Sequence, residues 1–197
     1  MKPGGTPTPT PPVTPASPVP PSPSPSPPPV TFEATPGGTP SAYLTYKDQA
    51  NGIIVDYPRD WSRADELLTK VMDAVGIVAF RSPTEENSFR PFMIVTKRVL
   101  PISLSVREVF DYAHSTGHQA AEFPGYVSIS DQDITLGSLS AIKHVFTYSE
   151  GGLKVKVKQL WVVKDTQAWV VRCVTAEASF DSWQPTLDTI VLSLTFL

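Results

Sequence analysis

The chain has 197 residues, of which 41% are hydrophobic, and carries 16 Lys and Arg against 19 Asp and Glu. The net charge of −3 argues against nucleic-acid binding by electrostatic attraction. The single cysteine, Cys173, excludes an internal disulfide and a cysteine-based zinc site. The sequence also lacks a run of roughly 18 apolar residues, the length that a membrane-spanning helix needs.

Proline dominates the first 40 residues, which hold 16 of the 22 prolines in the chain among Thr, Ser and Gly. A segment this rich in proline cannot form a helix or a sheet ladder and stays extended. We interpret residues 1–40 as a disordered linker and residues 41–197 as one globular domain. At about 3.1 Å per residue the linker reaches at most about 120 Å. Pro-x-x-Pro segments also bind SH3-like grooves, but the central proline run lacks the flanking Lys or Arg that would orient such a ligand.

The location of the protein is predicted from the same segment. The first residues have no apolar stretch of the kind found in a signal peptide. Proline-rich linkers are typical of domains tethered to a membrane or cell wall. We therefore expect an extracytoplasmic domain of the cell envelope whose anchor is absent from this sequence; the alternative is a cytoplasmic protein.

The first half of the domain predicts strands and two helices. The strands are expected at residues 52–57, 77–80 and 92–99, each a β-branched or apolar run. A helix is expected over residues 62–75, because apolar residues recur on one face and Gly76 follows. A second helix is expected over residues 103–115, where Ser105 and Glu108 form a capping-box pattern.

The second half predicts an antiparallel meander followed by a helix. Strands are expected at residues 126–134, 141–148, 153–164 and 168–176. Glu150-Gly151-Gly152 predicts a hairpin turn between the second and third of these strands. The last helix is expected over residues 182–194, with Pro185 in its first turn. Short turns between neighbouring strands imply an α+β fold in which helices cover a mostly antiparallel sheet.

Four segments resemble motifs of the PsbP/Mog1-like domain family. Residues 52–61 resemble its opening Gly-x-x-x-x-Tyr-Pro-x-x-Trp, and residues 104–109 resemble the start of its central helix. Residues 135–141 resemble Thr-Leu-Gly-Gly-x-x-Ala, with Ser138 replacing the second glycine. Residues 190–196 resemble the closing Ile-x-x-Ser-Phe, with one or two extra residues. The resemblance implies an α-β-α sandwich around a central, mostly antiparallel sheet of about six strands flanked by helices.

The resemblance also implies a class of function. Members of this family are diverse and largely non-enzymatic, and what they share is protein binding. The four motifs mark the fold rather than an active site, so they carry over no catalytic or cofactor-binding residue. We accordingly expect neither catalysis nor a cofactor.

A row of lysines is the candidate partner surface. Lys154, Lys156 and Lys158 alternate with apolar residues along the strand predicted over residues 153–164. They would span roughly 13 Å of one sheet face, at about 3.3 Å per residue. Such a row can meet an acidic protein or an anionic surface, but lysines on a solvated strand also simply prevent aggregation.

The histidines and the cysteine have structural interpretations beside chemical ones. His114 and His118 are four residues apart, which is a metal-ligand spacing on a helix, but Gly117 is expected to end the helix between them. His144 alternates with apolar residues and is expected to be a buried core histidine. Cys173 is expected to be a buried, inert thiol. The four tryptophans are expected to anchor the core.

Three hypotheses on function follow. The first is a non-enzymatic protein-binding domain, an accessory subunit or assembly factor of a larger complex that could be membrane-associated. The alternative is a carrier that holds a lipid or other small ligand in an apolar cavity between sheet and helices. The third is a hydrolase, which would require Ser, His and Asp to converge in a cleft.

Overall fold

The structure is a computed structural model that describes residues 42–70, 74–115 and 122–197. The linker predicted over residues 1–40 lies outside these ranges. Within them the chain forms two antiparallel sheets and two α-helices. Neither α-helix is long and apolar enough to cross a membrane.

A seven-stranded antiparallel sheet is the centre of the fold. Its strands, in spatial order, are β3 (Ser62–Arg63), β4 (Val75–Arg81), β5 (Phe92–Val99), β9 (Gln167–Ala176), β8 (Leu153–Lys164), β7 (Leu139–Glu150) and β6 (Val127–Leu136). The mostly antiparallel sheet is therefore as predicted from the sequence. The expected number of about six strands omitted the two-residue β3.

Glycine turns set the register of the long strands. Gly151 and Gly152 connect β7 to β8 with φ values of 59° and 85°, and Glu150 lies opposite Leu153. Two positive φ angles match the twist of the flanking strands and are accessible to glycine without steric cost. The predicted hairpin is confirmed.

A second sheet of three strands lies beside the first and was only partly predicted. Its order is β1 (Tyr43–Asp48), β2 (Ile53–Pro58) and β10 (Thr195–Phe196). The C-terminal strand pairs with β2, so the two ends of the domain meet in one sheet. Neither β1 nor the short β10 carries enough periodic pattern to be recognised in the sequence.

The helix predicted over residues 62–75 is wrong. Ser62 and Arg63, at the start of this segment, form β3, and Val75 at its end begins β4. A 3-10 helix, Asp65–Lys70, lies between the two strands. Strand pairing satisfies the backbone at both ends of the segment, since Arg63 pairs with Phe80 and Val75 pairs with Lys97. Tertiary hydrogen bonding has therefore overridden the local helical pattern.

The helix predicted over residues 103–115 is present as α1 (Val106–His114). Ser105 is the N-cap, and its hydroxyl accepts a hydrogen bond from the Glu108 amide at 3.2 Å. The Glu108 carboxylate accepts in return from the Ser105 amide at 2.8 Å. This capping box satisfies two backbone donors that the first helical turn leaves free.

The last helix, α2 (Phe180–Leu192), begins two residues earlier than predicted. Pro185 therefore lies in its second turn rather than its first. A 3-10 turn, Glu177–Ser179, leads directly from β9 into the helix. Because the chain enters the helix from this turn, the start is set by the end of the strand and not by proline.

The two helices cover opposite faces of the large sheet. Val106 and Phe110 of α1 pack with Ile142 on one face. Leu187, Ile190 and other apolar residues of α2 pack on the other face, together with the small sheet. The main core lies on the α2 side, where it buries Leu160 and Val162 of β8 and Val171 of β9.

Candidate functional site

The lysine row does not form an exposed surface, and this corrects the expectation from the sequence. Lys154 is exposed, Lys156 is half-buried, and the side chain of Lys158 is only 3% exposed. All three point to the sheet face that α2 covers. Lys154, Lys156 and Lys158 therefore cannot present one continuous basic surface to a partner.

Lys156 and Lys158, the two inner lysines of the row, contact residues of helix α2. The Nζ atom of Lys158 lies 2.7 Å from Oδ1 of Asp188. The Nζ atom of Lys156 lies 4.3 Å from the centre of the Phe180 ring. Long lysine stems can lie along apolar surface while the ammonium meets a carboxylate or an aromatic face. The two inner lysines of the row thus form part of the contact between α2 and the sheet and do not lie on a solvated face.

A cluster of two histidines lies between α1 and the sheet. The rings of His114 and His144 are 4.6 Å apart and nearly perpendicular. Phe110 stacks on His114 at 3.8 Å and meets His144 edge-on at 5.1 Å. His144 is fully buried, as its alternation with apolar residues predicted. The cluster therefore forms part of the packing between α1 and β7.

Burial keeps both imidazoles neutral. Burial, together with the neighbouring His114, lowers the pKa of His144 to about 4. Burial also lowers the pKa of His114, against a hydrogen bond that its Nδ1 donates to the Phe110 carbonyl at 2.7 Å. The Nε2 atom of His114 is buried and finds no hydrogen-bond partner within residues 42–70, 74–115 and 122–197. Both rings therefore behave as aromatic core residues at neutral pH.

The metal site considered for His114 and His118 gains no support. His118 lies outside the described residues. Among those that are described, no three His, Cys, Asp or Glu side chains come together to hold a metal ion. Cys173 is fully buried, and burial raises the pKa of its thiol, which keeps the thiol protonated and unreactive.

The Ser–His–Asp convergence that a hydrolase needs is incomplete. Oγ of Ser128 lies 3.2 Å from Nε2 of His144, a distance suited to a nucleophile and its base. However, the carboxylate of Asp131 bonds to Arg107 instead of orienting the imidazole. The Nδ1 atom of His144 makes no well-formed hydrogen bond to the described part of the chain, although Gln159 lies opposite it. Within the described residues, the pair therefore has no carboxylate as the third group of a catalytic triad.

The most open part of the domain is β6, the last strand of the large sheet. In the described part of the chain, β7 is its one strand neighbour. All seven residues from 127 to 133 are exposed, and Val127 and Ile129 are 58% and 50% exposed. The β6 edge, meaning the side of Val127–Leu136 that faces away from β7, therefore leaves backbone donors and acceptors unpaired by a strand.

Sequence analysis identified this strand but not its position at the edge. The order of strands depends on contacts far apart in the chain, which local periodicity does not encode. One signal was available: Asp131 and Asp133 alternate with other residues near the middle of the predicted strand. Charged side chains at such positions are typical of edge strands.

An acidic cluster, made of Asp111, Asp131 and Asp133, lies beside the β6 edge. All three carboxylates contact the guanidinium of Arg107, with Asp131 at 2.9 Å and Asp111 at 3.7 Å. Hydrogen bonds to Asp131 and Asp133 raise the pKa of Arg107. Three carboxylates against one guanidinium leave this surface with an excess charge of about −2 when all four groups are ionised.

A pocket of about 390 Å³ lies where the start of α1 meets β6 and β7. It is open to solvent, and the side chains lining it are mainly polar, among them Ser105, Arg107 and Asp133. A lipid carrier would instead need an enclosed apolar cavity. This pocket therefore does not match the carrier hypothesis.

Comparison with known proteins identifies the family. The chain matches the model of a family described as PsbP-like protein over residues 37–196. Because the match covers most of the chain, the protein belongs to this family, and the resemblance seen in the four sequence motifs is confirmed. No curated protein matches the chain.

Solved structures share the fold at low sequence identity. The cyanobacterial PsbP protein of Synechocystis is 16% identical, with a TM-score of 0.58 over 83% of this chain and 98% of its own. The Ran-binding protein Mog1p of Saccharomyces cerevisiae is 9% identical, with a TM-score of 0.54 over 78% and 95%. LpqN of Mycobacterium tuberculosis, involved in cell envelope biogenesis, is 17% identical, with a TM-score of 0.51 over 78% and 89%. These likenesses concern the fold alone.

Proposed function

We propose that this PsbP-like domain is a non-enzymatic protein-binding module, acting as an accessory or assembly subunit of a larger complex in the cell envelope. In this proposal residues 1–40 are the spacer between an envelope attachment and the domain. The observation that carries the proposal is the β6 edge, where branched apolar side chains are exposed on a strand that has no strand neighbour on its outer side in the described part of the chain. Folded proteins usually protect such an edge, and burial against a partner is a reason to keep it open.

Two proteins of similar fold support a protein partner and an envelope location as parts of this proposal. Mog1p is a Ran-binding protein, which associates the fold with protein binding in that case. LpqN is involved in cell envelope biogenesis. These roles belong to those proteins; for this chain they support a protein partner and an envelope location as the hypotheses to test first.

The binding function is tested by affinity capture with the full chain. The tagged full chain is mixed with a detergent extract of the envelope, cross-linked and purified. A variant that lacks residues 6–35 of the spacer is treated in the same way. We expect both proteins to capture the same partner in stoichiometric amount from the extract. In intact cells only the protein with the full-length spacer should capture the partner, because a domain on the shortened spacer cannot reach it. Absence of any captured protein, or a co-purified lipid in its place, would contradict the proposal.

The non-enzymatic part has its own test, because Ser128 and His144 are in contact. Hydrolysis of an activated ester is measured with the full chain and with Ser128→Ala. We expect equal background rates, since no carboxylate in the described part of the chain bonds to the imidazole and the pKa of His144 is low. A rate that falls by about a hundredfold in the variant would identify a catalytic serine and refute this part of the proposal.

A further inference from the structure

We propose that the β6 edge binds an extended segment of the partner protein as an eighth strand, and that this segment alternates basic with aliphatic residues. This inference rests on the proposed function and specifies its binding mode. A ten-residue strand such as β6 is about 33 Å long, at about 3.3 Å per residue. Strand addition of this kind takes its affinity from main-chain hydrogen bonds and its specificity from side chains on alternate positions.

The two faces of the sheet at β6 carry different side chains, and this difference predicts which residues an added strand would place on each face. Asp131 and Asp133 pair with His144 and Ile142 of β7, so they lie on the α1 face. Val127 pairs with Thr147, on the opposite face. Because an added strand also alternates between faces, every second side chain would lie beside the acidic cluster, and the others would lie on the opposite face, where Val127 and Ile134 share the surface with polar side chains.

Charge defines the residues expected next to the acidic cluster. The side chains of Asp131 and Asp133 are 45% and 74% exposed, although Arg107 contacts both of them. Their remaining carboxylate oxygens and the excess negative charge favour Lys or Arg on the incoming strand. The two aspartates are two positions apart in one strand, so basic residues at positions i and i+2 would match their spacing of about 7 Å.

A second copy of this chain is a poorer occupant of the same edge. Antiparallel pairing of β6 with itself would place the aspartates of both copies on the same face of the joined sheet. Six carboxylates of two acidic clusters would then face two copies of Arg107. Like charges directly opposite each other destabilise strand pairing, so the aspartates disfavour this dimer.

The β6 edge carries only part of the usual protection against strand addition. Its sequence, VSISDQDITL, contains neither proline nor lysine. Its one irregularity is a bulge between Ser128 and Ser130. The only charged side chains of β6, the two aspartates, are partly neutralised by Arg107. An edge of this kind accepts a strand of opposite charge more readily than a neutral or acidic one.

The test uses the full chain and synthetic peptides in place of the unknown partner. The probe is a ten-residue peptide in which Arg alternates with Val, labelled for fluorescence anisotropy. Control peptides replace Arg by Glu, place the five Arg before the five Val, or carry N-methyl groups on alternate amides. We expect binding of the alternating basic peptide only, at least about tenfold tighter than each control, with slowed amide hydrogen exchange confined to β6 and the acidic cluster.

Matched variants locate the binding site. Asp133→Lys reverses an exposed charge, and Ile129→Lys adds an edge-protecting lysine. Val99→Lys is the control, because Val99 is a similarly exposed residue at the end of the interior strand β5. We expect about tenfold weaker binding for each β6 variant and no change for Val99→Lys. Asp133→Lys should in addition bind the Glu peptide more tightly than the unaltered chain does.

Three outcomes would overturn strand addition. One is equal binding of the N-methylated peptide, which lacks the required donors. Another is binding that both β6 variants retain. The third is a dimer of the unaltered chain in sedimentation analysis that Ile129→Lys converts to a monomer, since a second copy would then occupy the edge. If affinity capture yields a partner that these variants also retain, strand addition is wrong while the protein-binding function stands.

Discussion

Acidification should destabilise this domain through the protonation of His144, which takes place at a higher pH in the unfolded chain than in the folded protein. The pKa of His144 is about 4 in the folded protein and about 6.5 when the chain is unfolded. The unfolded chain therefore binds more protons as the pH falls below 6.5, and the folded state loses stability until the pH reaches about 4. Between pH 7 and pH 5 the loss amounts to about 2 kcal/mol, from about 1.36 kcal/mol per pKa unit. His114 contributes in the same direction.

The measurement is urea unfolding at pH 7 and pH 5, with His144→Phe as the matched variant. Phenylalanine fits the aromatic surroundings of His144. The hydroxyls of Tyr126 and Ser128 lose their contact with the imidazole, but neither residue is fully buried, so water can replace it. Carboxylate titration is common to both proteins and cancels in the comparison. We expect the variant to lose about 2 kcal/mol less than the unaltered chain between the two pH values. Equal losses in both proteins would refute the assignment of the pH dependence to this imidazole.

Three further predictions test the packing of the helices and the core. Asp188→Ala should lower the free energy of unfolding in urea by about 2–3 kcal/mol, because it leaves the ammonium of Lys158 buried without its carboxylate. Lys158→Met combined with Asp188→Asn should recover most of this loss, and a loss near zero for Asp188→Ala would show that the pair is solvated. Ser105→Ala should cost about 1 kcal/mol and Ser105→Asp much less, since aspartate also caps α1; equal costs would argue against the cap. Cys173 should resist a thiol reagent at pH 8 until the chain unfolds, because it is fully buried; rapid labelling of the native chain would contradict this burial.

Much of the central sheet could be predicted because its signals are local. The strand over residues 153–164 and the capping box of Ser105 and Glu108 depend on neighbours within a few positions. The segment over residues 62–75 shows the limit of this reasoning. Its apolar spacing favours a helix, but the backbone at its two ends pairs with other strands, and local spacing does not encode such pairing.

The candidate site could be predicted only in part. The aspartates of β6 and the lysines of β8 were visible as alternating charges, and both patterns suit an exposed strand. The structure assigns them opposite environments, since β6 is an edge and α2 covers the lysine face of β8. The identity of a strand's neighbours depends on residues far away in the chain, so periodicity alone could not distinguish the two cases.

Local signals in the sequence were enough to predict the family resemblance, the mostly antiparallel sheet, the start of α1 and the burial of His144 and Cys173, because capping, turn chemistry and apolar alternation act over a few residues. The order of the strands, the burial of Lys158 beside Asp188 and the exposure of the β6 edge became visible in the folded domain alone. These features depend on which elements pack together, and that choice reflects the burial of apolar surface over the whole domain rather than any local preference.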